Sequence, residues 1–188
     1  MPKYTFQRIC NKLGHPAIDL FASRTNFKIP YYCSWQKDPE AAFIDAFSLN
    51  WREFHLSYLF PPFSLLGRCI QKFHQESAEA IIVAPLWAQQ IWFPYLMRSL
   101  VDHPLILPCT SEILHLAHSH QKHLLSPKLK LIACRISGDN TKSSAFRMRQ
   151  SVLLQHHGDH QRNHSIKPIS LSGWSFAVDG ISIHLRHL

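Results

Sequence analysis

Hydrophobic and polar positions change period several times along the chain, and each change marks an element. In residues 3 to 14, Phe6, Ile9 and Leu13 recur at helical spacing and Gly14 supplies a stop. Residues 17 to 22 form an apolar run around Asp19, which predicts a buried strand ending in the small-residue turn Ala22-Ser23. From Asn26 to Trp51 the pattern is irregular and broken by Pro30 and Pro39, although Ala41–Phe47 is apolar around Asp45. A strand at 56 to 60 then meets Pro61-Pro62, a pair that fixes φ, removes two donors and so makes a rigid elbow.

Residues 64 to 78 place Leu65, Leu66, Cys69, Ile70 and Phe73 on one face and Arg68, Lys72 and Gln75 on the other, as in a helix packed on a sheet. Ala80–Ala84 is apolar on both faces and is followed by Pro85, which predicts a central strand buried on both sides. Trp87 to Val101 reads as a helix with Pro94 near its first turn. Leu105–Pro108 and Leu129–Ala133 add short strands. The alternation of strand and helix is the signature of a parallel α/β sheet.

After Ile136 the character changes. Ser137–Thr141 is turn-rich, residues 145 to 155 predict a basic helix, and His156 to Leu188 has little periodicity. From Arg135 onward seven cations face three acids, so this short region carries half of the chain's net charge of +8. We expect one domain over residues 1–135 and a basic, partly ordered linker and tail over 136–188. A basic balance points to phosphate-bearing partners, DNA or RNA, reached through that tail.

Cys10, Cys33, Cys69, Cys109 and Cys134 stand singly, with no paired spacing for a zinc ribbon or a disulfide framework, and are expected to be reduced and mostly buried. His115, His118, His120 and His123, and His156, His157, His160 and His164, cluster without a carboxylate or thiolate at a usual ligand spacing, so no metal is expected. No apolar run approaches the ~20 residues that span a bilayer, and the first residues lack a signal-peptide core, which predicts a soluble intracellular chain.

Two strand ends carry the candidate chemistry: Ile18–Asn26 and Phe60-Pro61-Pro62-Phe63. With Ser34-Trp35, Asp38-Pro39, Ile44–Phe47, Trp51, Ala84–Trp87 and Trp92-Phe93, they resemble the segment downstream of reverse transcriptase and ribonuclease H in DIRS-like retrotransposons that move by a tyrosine recombinase. Arg135–Gly138 and Ala145–Arg147 resemble the link that precedes the recombinase. That segment is in turn similar to phage-type Dam adenine methyltransferases. The resemblance implies a Rossmann-like, methyltransferase-type sheet flanked by helices, the chain being part of a longer polyprotein whose reverse transcriptase, ribonuclease H and recombinase domains are its neighbours.

By the same resemblance Asp19, Phe21, Ala22 and Ser23 would face S-adenosylmethionine, Asp45 would approach its adenosyl part, and Phe60, Pro61, Pro62 and Phe63 would occupy the catalytic loop. In amino-methyltransferases the leading Asp or Asn of that loop orients the target amine and the closing aromatic stacks on a flipped base. Phe60 has no acceptor, a loss on the order of a hundredfold or more in rate. Ala22-Ser23 also replaces a glycine-rich turn. The chain is therefore expected to be catalytically inactive, without bound cofactor, and to bind nucleic acid or brace its neighbours. Three alternatives stay open: a working methyltransferase using the Pro61 carbonyl or Ser64 as acceptor, a nonfunctional translated remnant, and Phe60 and Phe63 as plain core residues.

Overall fold

The structure, a computed structural model, describes residues 1–108, 129–161 and 175–188. Helix α1 (Lys3–Leu13) buries Ile9, Cys10 and Leu13 and rests Phe6 edge-on against Tyr58, with ring centroids 4.9 Å apart. It stops where the sequence predicts. Gly14 takes φ 106°, a left-handed conformation that side chains disfavour, and its N–H donates to the Cys10 carbonyl.

Strands β1 (Ile18–Ala22), β2 (Tyr32–Ser34), β3 (Phe43–Ile44), β4 (Ser57–Leu59), β5 (Glu79–Pro85), β6 (Leu105–Ile106) and β7 (Leu131–Ser137) join one sheet. With β10 (Arg186–His187) at the far edge, the order is β10-β6-β7-β5-β4-β1-β2-β3. All neighbours are parallel except β7, which runs antiparallel to both β5 and β6. The parallel α/β sheet expected from sequence is found, with β7 as its antiparallel exception. Its seven residues pair along the full length of β5, Glu79 opposite Ser137 through Pro85 opposite Leu131.

Alternation along β5 sorts the core into two layers. Ala80, Ile82 and Ala84 pack with Leu66, Cys69, Ile70 and Phe73 of α2 (Leu66–Gln75) and with Phe93, Leu96 and Met97 of α3 (Trp92–Arg98). Ile81 and Val83 face the other way, against Ile9 and Leu13 of α1. The sequence reading of a strand buried on both sides holds.

The helix expected from Trp87 to Val101 is shorter, because Trp87 to Ile91 closes as turns and α3 begins only at Trp92. Pro94 then falls in the first turn, where its missing N–H costs no helical bond. The Ser99 hydroxyl ends the helix by donating to the Tyr95 carbonyl at 2.7 Å.

The break drawn at residue 135 falls inside β7, and the region beyond it is not uniformly loose. Helix α4 (Asn140–Gln161) starts where Asp139 accepts the Thr141 N–H at 2.8 Å, five residues before the predicted start. Strands β8 (Ser175–Val178) and β9 (Ile181–His184) form a hairpin through Asp179-Gly180, with φ of 49° and 78°. Two residues at positive φ match the twist of the flanking strands. Val178, Ile183 and Leu185 enter the same core as α2 and α3, and Phe176 lies edge-on to Phe93 at 5.1 Å. Residues 162–174, with His164, lie outside the described residues, as does the first histidine cluster with Cys109. Cys10, Cys33, Cys69 and Cys134 are buried and free. No helix among the described residues is long and apolar enough to cross a membrane.

Candidate functional site

From β1 the chain steps outward to β2 and β3, then returns to β4 and β5 on the opposite side. Strand order therefore reverses between β1 and β4, and in open α/β sheets the crevice beyond the strand ends at such a reversal is where ligands bind. A cleft of about 1220 Å³ opens there. It is lined by Asp19, Phe21, Ala22 and Ser23 from β1, by Asp45 after β3, and by Phe60, Pro61, Pro62 and Phe63 after β4. All nine residues expected from the resemblance to face a cofactor or form the catalytic loop are brought to this one place, while the alternative acceptor Ser64 is not.

The turn after β1 is held by its own polar groups. The Ser23 N–H donates to Asn26 Oδ1 at 2.8 Å, and the Asn26 and Phe27 N–H groups both return to the Ser23 carbonyl. Side-chain hydroxyls of Ser23 and Thr25 meet at 3.0 Å. Donors that a glycine-rich turn would present to a ligand are here spent within the loop.

The acids around the cleft are spent on the backbone as well. Asp19 is 2% exposed, its carboxylate accepting from the N–H groups of Lys28 at 3.0 Å and Phe21 at 3.4 Å. Burial pushes its carboxyl up to about 6, with those two N–H groups pulling the other way. Asp38 accepts from the Arg24 N–H, the Tyr32 hydroxyl and the Glu40 N–H, clasping the loops after β1 and β2 together. Asp45 sits at φ 59°, ψ 98°, where a residue with a Cβ is strained, and its Oδ1 accepts from the Phe47 N–H at 3.0 Å.

Aromatic rings floor the pocket. Phe21 stands edge-on to Phe47 and Trp51, at 5.7 and 6.2 Å. Trp51 is fully buried, donating its indole N–H to the Ala46 carbonyl and its backbone N–H to Glu76, each at 2.7 Å. In the loop after β4, Phe60 packs on the α1 side of the sheet and Phe63 lies edge-on to Trp87 at 5.3 Å. Pro61 is buried and Pro62 exposed. Ser64 does not line the cleft, whereas Pro61 does.

Sequence reasoning did not single out several residues that the fold gathers here. Tyr58 lies beside Asp19 across the β1–β4 pair, 1% exposed, with a buried hydroxyl that has no hydrogen-bond partner. Arg24, Lys28, Lys37 and Arg68 also line the cleft, Arg68 with its guanidinium 3.8 Å from the Phe47 ring centroid. Trp35 stands at its mouth, 72% exposed. Among the described residues no cluster of histidine, cysteine or acidic side chains is placed to hold a metal. No protein-family model matches the chain, and a search of curated proteins finds no relative.

Proposed function

We propose that this chain is a methyltransferase-related domain of a DIRS-like retrotransposon polyprotein, one that has lost methyl transfer and keeps its cleft for nucleic acid. The observation that carries this reading is the convergence, at the strand-order reversal, of the loops after β1 and β4, the first with polar groups spent within itself and on Asp38, the second led by Phe60. Strand order is compatible with a Rossmann-like relation: apart from the antiparallel β7 between β5 and β6 and β10 at the edge, it is the dinucleotide-binding order 3-2-1-4-5-6.

S-adenosylmethionine fits these residues poorly. The cleft is large enough, but the Ser23 N–H is taken by Asn26, Asp19 is buried under two backbone donors, and Asp38 holds three of its own. Asp45 alone keeps an exposed carboxylate oxygen with no bond of this kind. At the reacting end Phe60 offers no acceptor, and Phe63 is committed to Trp87. Neighbouring reverse transcriptase, ribonuclease H and recombinase domains would then meet a binding or bracing module rather than an enzyme.

Calorimetric titration of S-adenosylmethionine into the chain, with thermal unfolding in parallel, tests this. A ligand that binds only the folded state must raise its stability, by about 2.7 kcal/mol at a hundred times Kd. We expect neither heat nor a shift. A stabilisation that Asp45→Ala abolishes would overturn the reading in favour of a working methyltransferase with the Pro61 carbonyl as acceptor, and absence of cooperative unfolding would favour a remnant.

A further inference from the structure

We infer that the mouth of the cleft, not the basic C-terminal region, is the nucleic-acid surface, and that it takes a single strand with one base stacked on Trp35. This rests on the nucleic-acid reading above and deepens it. The Trp35 indole is 72% exposed, and no ring or cation packs on it among the described residues, so its π face is open to a stacking partner. Lys37 follows it two residues on, and Arg24 lies in the loop that Asp38 clasps to the same segment. Both line the cleft, as do Lys28 and Arg68. None of these four cations forms an ion pair among the described residues. Asp38 accepts from two N–H groups and a hydroxyl and lies within the field of the Arg24 charge, without a direct ion pair to it.

A row of cations beside an open aromatic face is the chemistry of single-strand binding: charge follows the phosphates, and the ring stacks on a base of any sequence. Duplex DNA hides its base faces and would leave Trp35 bare. The C-terminal cations are differently employed. Lys142 and Arg135 share Glu79, and Arg147 turns to Asp179 and the Arg98 carbonyl, which leaves Arg149 and Arg186 exposed among the described ones.

The test is fluorescence anisotropy with a labelled oligothymidylate of about ten nucleotides, a length within the usual footprint of such sites, titrated with the full chain at several salt concentrations. We expect log K to fall against log salt with a slope of about −2 to −3, as for three or four neutralised phosphates on a single strand. Trp35→Ala should weaken binding roughly five- to a hundredfold. Arg24→Glu with Lys37→Glu should abolish it, and Arg149→Glu should change nothing. All of these side chains are exposed, so unfolding curves should match the unaltered chain. Unchanged affinity in Trp35→Ala, loss in Arg149→Glu, equal displacement by polyglutamate, or no binding by a cooperatively folded chain would each overturn the inference. Unchanged affinity in Trp35→Ala or loss in Arg149→Glu would overturn the inference alone, whereas no binding by a cooperatively folded chain would overturn the nucleic-acid reading with it; none of these results bears on whether S-adenosylmethionine binds.

Discussion

At the mouth of the cleft Arg24, Lys37 and Arg68 form no direct ion pair among the described residues, whereas Arg135, Lys142 and Arg147 in the C-terminal region are drawn onto Glu79 and Asp179. The acids explain the difference. Around the cleft, Asp19, Asp38 and Asp45 accept from backbone N–H groups and fix loop geometry. Glu79 of β5 and Asp179 of the β8–β9 hairpin instead accept from side-chain cations, Glu79 holding Arg135 of β7 and Lys142 of α4, and Asp179 holding Arg98 of α3. Half of the net charge is carried from Arg135 onward, yet among the described residues three of its cations are paired in place, while Arg24, Lys37 and Arg68 at the strand ends form no ion pair.

If the cleft is held by a few deeply anchored groups, the change expected to break it most is Trp51→Ala. Trp51 is fully buried, touches Phe21 and Phe47, and is fixed at both nitrogens. Truncating a buried tryptophan costs about 3–5 kcal/mol. In a chain of this size that lowers Tm by about 6–20 °C, to be read from thermal unfolding. A loss below about 1 kcal/mol would mean that the aromatic floor does not hold the loops.

The next largest effect sharpens the comparison through pH. Burial raises the Asp19 carboxyl from 3.8 to about 6, so between those values the folded chain keeps a proton that the unfolded chain has lost. Stability must then fall as pH rises from about 4 to about 6 and level off above, by about 3 kcal/mol at most. Asp19→Asn removes the buried charge while keeping one carbonyl acceptor. It should flatten that part of the profile, measured by urea unfolding at pH 4 and 7, while the buried N–H left facing the amide NH2 offsets the gain at pH 7 by about 1–3 kcal/mol. An unchanged slope would show that Asp19 is not the group responsible.

How much of this was legible follows from element length. β5 and α2 are long enough to display a period, and both are found where the pattern places them. The meeting of Ala22-Ser23 with Phe60–Phe63 was legible because both are strand ends. β2 and β3, of three and two residues, are too short to alternate visibly. The direction of β7 depends on its pairing with β5, which no local pattern encodes. The hairpin did carry a signal, Asp179-Gly180, hidden by the weak periodicity around it. Lys28 and Lys37 lie in the irregular stretch and Arg24 just before it, and bonds to Asp19 and Asp38 that no local pattern encodes gather them.

The smallest expected effect lies in the C-terminal region. Arg98 reaches Asp179 Oδ1 at 3.2 Å through both Nε and Nη2, but the two side chains are 54% and 48% exposed. Water screens such a pair, and holding two long side chains in one geometry costs entropy, so exposed pairs are worth about 0–1 kcal/mol. The hairpin also keeps Val178, Ile183 and Leu185 in the core and the Phe176–Phe93 contact. Arg98→Ala should therefore lower stability by less than about 1 kcal/mol in urea unfolding. A larger loss would mean that charge rather than apolar burial docks the hairpin, and the C-terminal cations would then be as indispensable to the fold as the acids around the cleft.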